Sequence, residues 1–327
     1  MRKDALGVLV AYLAVYLIWG STYLFIKMAV SGFPPYFMVG VRFTVGGLLL
    51  LLVALGRGRL RPLPPLRSVL AAMLLGTLFM VVANGLVTVA EQEVDSYLVA
   101  LVMAAVPLVV AFFDRFLFRK TVSWLRLGGI VVGVIGVILL LYSERSIQAS
   151  LSVPTVLIVV AMLTWSFATS LGQSLPLPRD LGVNSGLQML WAGLVSLAIA
   201  FISGRVPPGF LGELLQPGAV SFRAWFGLGY LAIVGSLGFM AYSYLIVKEP
   251  SSRVVSYALV NPGIAVILGL LVGHETLVPL FPYGLALVLS GLFCMLYGDA
   301  LLRAWRARRG GRDLDRQGRR PDPQGRA

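Results

Sequence analysis

The internal repeat constrains this chain more than any other feature, because two successive sets of five hydrophobic segments carry the same residue types in the same order. In the first two segments of each set the offset is 146 positions, which relates Trp19 to Trp165, Gly40 to Gly186, and Gly47 to Gly193. In the last two segments the offset is 155 positions, which relates Ser96, Pro107, Thr121, Gly129, Gly136 and Tyr142 to Ser251, Pro262, Thr276, Gly284, Gly291 and Tyr297. Homologous halves that each contain an odd number of membrane helices lie in opposite orientations. Such inverted repeats are typical of secondary transporters, which bind their substrate between the two halves.

The composition places these segments in a membrane. Of the 327 residues, 58% are hydrophobic and only 13% are charged, and the mean hydropathy is +0.88, whereas a soluble domain has about 25% charged residues. The apolar runs approach the roughly 20 residues that a transmembrane helix needs, and they lack the alternation of β-barrel strands. The predicted helices are 5–30, 35–55, 68–91, 94–117, 124–142, 152–175, 183–203, 222–247, 252–273 and 279–302.

The distribution of Lys and Arg predicts the orientation of these helices. If the N-terminus is cytoplasmic, eleven basic residues lie in cytoplasmic segments and three in segments on the other side. The eleven are Arg2, Lys3, Arg57, Arg59, Arg61, Arg67, Arg119, Lys120, Arg179, Lys248 and Arg253, and the three are Arg145, Arg205 and Arg223. The positive-inside rule then favours two cytoplasmic termini and an even number of helices. The sequence predicts an all-α integral membrane protein with ten transmembrane helices, arranged as two inverted-topology five-helix repeats.

This organisation divides the chain into three parts. Residues 1–147 form the first repeat with helices one to five, and residues 148–302 form the second with helices six to ten. Residues 303–327 contain nine arginines and three aspartates without apolar periodicity, so we expect a disordered cytoplasmic tail. Because this tail follows the last membrane helix, we expect it to lie near anionic lipid and expect no nucleic-acid partner.

Several short motifs resemble a known family. They are Trp19-Gly20-Ser21-Thr22-Tyr23, Pro34-Pro35, Asn84-Gly85, Ala90-Glu91-Gln92, Ser256-Tyr257-Ala258, Asn261-Pro262 and Gly273-His274-Glu275-Thr276. Together, over residues 6–302, they resemble the EamA-type branch of the drug/metabolite transporter superfamily. The resemblance implies a ten-helix, multi-pass carrier of the inner membrane that exports small metabolites or amino acids. One departure is that the family often has Gly-Glu at the end of both repeats, whereas the first repeat here has Arg119-Lys120.

Polar and aromatic residues inside the predicted helices are the candidates for a substrate cavity. Asn84 and Asn261 fall within the membrane, where a buried amide either bonds a neighbouring helix or faces a wet cavity. Trp19 and Tyr23 share one face of the first helix, and Trp165 is the repeat partner of Trp19. Such aromatic residues line a cavity or pack between helices. The predicted cavity residues are Trp19, Tyr23, Asn84, Trp165, Tyr257 and Asn261.

Four charged residues are the candidates for a gate or a coupling site, because charge inside a bilayer is costly and is a functional signal. Arg42 lies about 10 Å below the outer end of the second helix, at ~1.5 Å per residue. Lys27 lies near the outer end of the first helix and either attracts anions, reaches the interface or pairs with a loop carboxylate. Glu91 can exchange protons or pair with Arg42 or Lys27, and Glu275 lies at the outer end of helix nine.

These observations favour a secondary carrier that exports a small metabolite or amino-acid-like solute by alternating access. A passive channel and a non-transporting receptor or structural protein are the alternatives. We do not expect an enzyme, since the sequence lacks clustered ligands or a nucleophile with its base. It also lacks a phosphate-binding Gly-Lys-Ser/Thr loop for ATP, and we predict no metal and no cofactor. The expected partners are the solute and the lipid bilayer, and the sequence leaves open whether the protein is a homodimer.

Overall fold

The regular elements of the protein are helical throughout the part that the computed structural model describes, as the sequence predicts. That part comprises residues 2–116, 119, 123–143, 152–214, 216–248, 257–277 and 279–317. We number the main helices α1 (Arg2–Val30), α2 (Pro35–Gly56), α3 (Leu66–Ala90), α4 (Ser96–Phe116), α5 (Trp124–Ser143), α6 (Val153–Gly172), α7 (Leu181–Ile202), α8 (Phe222–Lys248), α9 (Tyr257–Gly273) and α10 (Phe281–Gln317). A short additional helix spans Phe210–Glu213.

Among the described residues, seven helices are long and apolar enough to cross a membrane. They are Ala5–Val30, Pro35–Gly56, Leu66–Ala90, Ser96–Phe116, Val153–Gly172, Leu181–Ile202 and Phe222–Tyr242. Shorter apolar stretches lie in α5, α9 and α10, at Leu127–Leu139, Tyr257–Gly273 and Phe281–Met295. The chain is therefore a multi-pass membrane protein.

Among the described residues, α3, α4 and α9 depart from regular α geometry, and α9 does so through a π-helical stretch at Gly269–Gly273. Helix α3 contains a π-helical stretch at Thr77–Asn84, and such stretches are frequent at functional sites. Helix α4 is interrupted between Met103 and Val106, because Pro107 cannot donate a backbone hydrogen bond and its ring would clash with the Met103 carbonyl. The repeat-related Pro262 lies inside the continuous helix Tyr257–Leu268.

The structure differs from the sequence prediction at the basic tail. Helix α10 continues to Gln317, so residues 303–317 are helical where the sequence predicts disorder. Ala304, Ala307 and the neighbouring arginines have high intrinsic helix propensity, and they extend the membrane helix without a break. The remainder of the tail, the predicted boundary between the repeats, and the repeat positions Thr121 and Ser251 lie outside the described residues.

Glycines hold α2 and α7 in backbone contact at the centre of the fold. A Cβ atom on Gly47 would meet the backbone of Leu190, and a Cβ atom on Gly193 would meet the backbone of Thr44. The two contacts are equivalent, because both Gly47 and Gly193, and Thr44 and Leu190, are related by the same 146-residue offset. The absence of side chains lets the helices approach this closely, as in small-residue interfaces of membrane proteins generally.

Helices α5 and α10 meet in the same way on the other side of the molecule. A Cβ atom on Gly136 would lie 2.9 Å from the Gly284 carbonyl oxygen, and one on Gly291 would lie 2.5 Å from that of Gly129. These two contacts are again related by a single offset, here of 155 residues. The repeated glycines of the sequence therefore mark the two places where a helix packs against its own counterpart.

The remaining packing brings α1 against α8 and α9, and α6 against α3 and α4. The repeat relates these two sets of contacts, because α6 corresponds to α1, α3 to α8, and α4 to α9. This arrangement surrounds the centre of the molecule with helices from both parts of the chain.

The contact between α2 and α7 predicts that a Gly→Ala substitution in this interface lowers stability, although alanine is normally favoured over glycine in a helix. Gly47→Ala should lower the thermal stability of the purified protein, because overpacking costs roughly 1–3 kcal/mol. Gly229→Ala is the matched control, since nothing lies within 4 Å of its added Cβ atom and alanine favours a helix over glycine by roughly 0.5–1 kcal/mol. Thermal unfolding in detergent measures both changes. Equal midpoints for Gly47→Ala and wild type would contradict the packing described above.

Candidate functional site

A central cavity lies between α1, α2, α3, α4, α6, α8 and α9. Its lining residues are Trp19, Thr22, Tyr23, Ile26, Arg42, Asn84, Val87, Met103, Val106, Trp165, Gly235, Phe239, Tyr257 and Asn261. The six residues predicted to line a cavity all lie around it, and Arg42 joins them. About 80 Å³ of the space is open to the centres of water-sized molecules, several times the ~10–15 Å³ that one water needs.

Trp19 and Trp165 provide two aromatic walls of the cavity. Trp19 packs edge-on against Phe239, with ring centroids 5.5 Å apart, and against Tyr257 at 5.0 Å. Its repeat partner Trp165 packs edge-on against Phe79 at 4.9 Å. Each tryptophan thus contacts a phenylalanine from the other half of the helix set, and edge-to-face pairs of this kind stabilise one ring orientation. The two walls offer flat apolar surfaces to a solute.

Among the described residues, Arg42 is the only charged one that lines the cavity. Its side chain is almost fully buried, at 2% exposure, and its Nη1 atom donates to Asn84 Oδ1 at 3.3 Å. The guanidinium also lies over the ring of Phe43, 4.5 Å from the ring centroid. Nε has no hydrogen-bond partner, and within the described chain no carboxylate lies within 4 Å of the guanidinium. The π-helical stretch of α3 ends at Asn84 and so orients the amide that holds Arg42.

Asn261 meets both alternatives that the sequence leaves open for a buried amide. It lines the cavity, and it also bonds a neighbouring helix. With the amide oriented according to its hydrogen-bonding surroundings, the nitrogen donates to the carbonyl oxygen of Tyr16 at 3.3 Å and to that of Tyr257 at 3.1 Å. Asn261 therefore joins α9 to α1 at the edge of the cavity.

Glu91 lies one helical turn beyond the cavity residue Val87 and caps the end of α3. It is fully buried, and neither carboxylate oxygen has a hydrogen-bond partner in the part of the chain that the structure describes. It interacts electrostatically with Lys27, Glu275 and Arg42, but it forms no ion pair within 4 Å with any of them. A buried carboxylate without partners is costly in its charged form, so this residue favours either a bound proton or a cation that moves towards it.

Lys27, Asp95 and Glu275 form an ionic cluster, which we call the outer cluster because it lies at the predicted outer end of the cavity. Lys27 lies one turn beyond Tyr23 on α1, and its Nζ atom bonds Asp95 Oδ1 at 2.6 Å and lies 3.8 Å from Glu275 Oε1. Of the alternatives for Lys27, the structure shows pairing with a loop carboxylate. The outer cluster joins α1, the loop between α3 and α4, and the segment that follows α9.

Glu275 also caps the beginning of α4. Its Oε1 atom accepts a hydrogen bond from the backbone N–H of Ser96 at 2.9 Å, and Oε2 accepts one from that of Tyr97 at 3.3 Å. A carboxylate at a helix N-terminus satisfies unpaired backbone donors and complements the helix dipole. The left-handed backbone of His274, with φ of 55°, turns the chain so that Glu275 reaches α4.

Asp95 belongs to the outer cluster although it is not among the charged candidates predicted from the sequence. Its position directly before Ser96 at the start of a predicted helix is the available signal, because Asp is a preferred N-cap residue. The cap itself is formed by Glu275 instead, and the carboxylate of Asp95 is left to bind Lys27.

The family comparison agrees with this architecture. The model of the EamA-like transporter family matches the chain twice, at residues 5–142 and 154–297. The chain belongs to the EamA-like transporter family. A 37% identical relative, the uncharacterized inner membrane transporter YedA of Escherichia coli K12, aligns over 90% of this chain and 92% of its own length.

More distant proteins also align over most of the chain. The probable amino-acid metabolite efflux pump of Escherichia coli K12 is 23% identical over 91% of this chain and 96% of its own length. A solved crystal structure aligns with a TM-score of 0.60 and 18% identity, over 92% of this chain and 98% of the other. That similarity shows a shared fold.

The capping role of Glu275 predicts a graded loss of stability in this EamA-like protein. Glu275→Ala should destabilise it by roughly 1–2 kcal/mol, since the first donors of α4 lose their acceptor. Glu275→Gln keeps one acceptor oxygen and should lose less. The exposed Glu93 in the adjacent loop provides the control, because Glu93→Ala breaks no such contact. If thermal unfolding gave the same midpoint for Glu275→Ala and Glu93→Ala, Glu275 would not be a structural cap.

Proposed function

We propose that this protein is a secondary carrier of the inner membrane, which exports a small metabolite or amino-acid-like solute by alternating access without ATP. The observation that carries the proposal is the central cavity, whose walls come from α1–α4 and from α6, α8 and α9. In a carrier with inverted repeats, the substrate site is expected at the interface between the two repeats. Trp19, Tyr23, Asn84, Trp165, Tyr257 and Asn261 are the proposed substrate contacts.

The proposed topology has ten transmembrane helices in two inverted five-helix repeats, residues 1–147 and 148–302, with both termini in the cytoplasm. The double family match supports it, as do the paired glycine contacts of α2 with α7 and α5 with α10. The excess of Lys and Arg in the segments assigned to the cytoplasm supports the orientation. The proposed export direction and membrane are supported by the names of the two Escherichia coli relatives, an efflux pump and an inner membrane transporter.

The outer cluster and the Arg42–Glu91 pair are the proposed gate and coupling groups. Opening the cavity towards Lys27 requires this side chain to separate from Glu275 or from Asp95. We further propose that Glu91 and Arg42 approach one another in a second state of the carrier. Each residue is buried and has no ionic partner within 4 Å among the described residues, so mutual approach would lower the cost of burying both charges.

A channel is the second candidate function, and exchange kinetics distinguish it from a carrier. Proteoliposomes preloaded with unlabelled solute should take up the labelled solute faster than empty ones if the protein is a carrier, because the loaded site returns across the membrane more readily than the empty one. A panel of radiolabelled amino acids and small carboxylates provides the probes. Uptake that is independent of preloading would favour a channel, and uptake equal to that of protein-free liposomes for every probe would favour a receptor or structural role.

The proposed role of Glu91 predicts that its substitution slows transport without lowering the thermal stability of the protein. Glu91→Gln and Arg42→Gln should each slow exchange by roughly tenfold or more, because each removes the Arg42–Glu91 contact proposed for the second state, and hydrogen bonds to charged groups contribute about 1.5–3 kcal/mol. Glu91→Gln should not lower the thermal stability, because the carboxylate makes no hydrogen bond or ion pair to lose in this structure. Glu93→Gln is the matched exposed control.

Two results would contradict this role. Exchange by Glu91→Gln at the wild-type rate would exclude coupling through Glu91, and a large fall in stability with unchanged exchange per folded molecule would make the residue structural. An imposed pH gradient adds a further test. Acceleration of wild-type flux by the gradient that is lost in Glu91→Gln would assign proton coupling to this carboxylate, whereas insensitivity of the wild type would leave facilitated diffusion.

A further inference from the structure

We propose, on the basis of the proposed function, that the transported solute is a small organic anion with an apolar or aromatic body and no ammonium group. Its carboxylate binds Arg42 and Asn84, and its body lies between the walls formed by Trp19 and Trp165.

The charge of the cavity is the first support. Arg42 is the single charged residue among the described lining residues, which therefore contribute one positive charge and no acidic side chain. The guanidinium is 2% exposed and has no carboxylate within 4 Å in the described structure. A buried cation without an anion is costly, and an anionic solute that enters the cavity supplies the missing partner.

The donors around Arg42 are the second support. Nη1 donates to Asn84 Oδ1, while Nε is enclosed and has no hydrogen-bond partner among the described residues. Nη2 is therefore the guanidinium donor that remains for another acceptor. Nη2 lies 3.8 Å from the position that a Cβ atom on Gly235 would occupy, and Gly235 lines the cavity. The glycine therefore places no side chain in front of Nη2. Because the carbonyl of Asn84 is used by Arg42, its NH₂ group provides a further donor beside the guanidinium. Arginine binds carboxylates through two parallel hydrogen bonds.

The aromatic walls are the third support. Trp19, Phe239 and Trp165 present apolar rings to the cavity that contains the charged end, and Phe79 packs against Trp165. An ammonium group would find no carboxylate in the lining, and its desolvation would therefore weaken binding. The nearest unpartnered acid, Glu91, lies outside the lining and one turn beyond Val87. A solute with a carboxylate on an apolar body can pair with Arg42 and pack against the aromatic rings. A zwitterion can make the same contacts, but its ammonium group is left without a partner.

Three probes with the same phenethyl body test the proposal: 3-phenylpropionate, phenylalanine and phenethylamine. Binding to the purified protein is followed by quenching of the tryptophan fluorescence, since Trp19 and Trp165 lie in the cavity. We expect 3-phenylpropionate to bind most tightly, phenylalanine to bind at least about tenfold more weakly, and phenethylamine not to compete. Arg42→Gln should weaken binding of 3-phenylpropionate roughly ten- to hundredfold, and Arg42→Lys should weaken it less. Arg57→Gln, which removes an exposed arginine, is the control and should bind as the wild type does.

Each contrary result overturns the proposal in a recognisable way. Binding of phenylalanine or phenethylamine as tight as that of 3-phenylpropionate would exclude selection for an anion. An affinity that Arg42→Gln does not change, or the absence of 3-phenylpropionate binding, would exclude Arg42 as the anion site. Exchange in proteoliposomes separates this proposal from the proposed function. Exchange of phenethylamine alone would refute the anion site and leave the carrier intact, whereas binding of 3-phenylpropionate without exchange of any probe would refute the carrier and leave the site.

Discussion

The rest of the structure depends on the contact between the backbones of α2 and α7. Two helices can approach this closely only where side chains are missing, and Gly47 and Gly193 provide the two gaps at repeat-related positions. In a bilayer the hydrophobic effect does not drive helices together, so close packing of small residues stabilises the pair instead. With α2 held in this place, Arg42 on the same helix reaches Asn84 on α3 and lies against Gly235 on α8. One packing constraint thus positions the charge on which the cavity depends.

Charge is distributed unevenly around the cavity. Inside it the lining carries Arg42, while Lys27, Asp95 and Glu275 pair with one another at the predicted outer end. Glu91 lies between these two groups, buried and without a hydrogen bond. This arrangement separates a site that can bind an anion from a cluster that joins α1, α4 and the end of α9. It accounts for both proposed roles, because a solute engages Arg42 whereas opening towards the outside breaks contacts of Lys27.

Much of this arrangement can be predicted from the sequence, because the position of a residue within an apolar segment and the internal repeat can both be read from it. The lengths of the apolar segments predict the helices. Five residues predicted from their positions lie around one cavity, namely Trp19, its repeat partner Trp165, Asn84, Tyr257 and Asn261. The ion-pair partner of Lys27 cannot be predicted from the sequence. Three alternatives are open for this residue, and its pairing with Asp95 depends on how the loop before Ser96 folds. No local signal in the sequence predicts the π-helical stretch that ends at Asn84. The helical extension through 303–317 departs from the disorder predicted from the charge content, and Ala304, Ala307 and the neighbouring arginines favour a helix there.

Accessibility of the cavity from the two sides of the membrane tests the central claim most directly. Thr22→Cys places a thiol in the lining with little change in shape, and Cys294→Ala removes the native thiol. A membrane-impermeant thiol reagent should modify Thr22→Cys both in right-side-out and in inside-out vesicles, while Leu13→Cys on an exposed apolar part of α1 should stay unmodified in both. Alternating access predicts modification from both sides, slowed in each case by bound solute. Modification from one side only, or from neither, would contradict a cavity that opens alternately across the membrane.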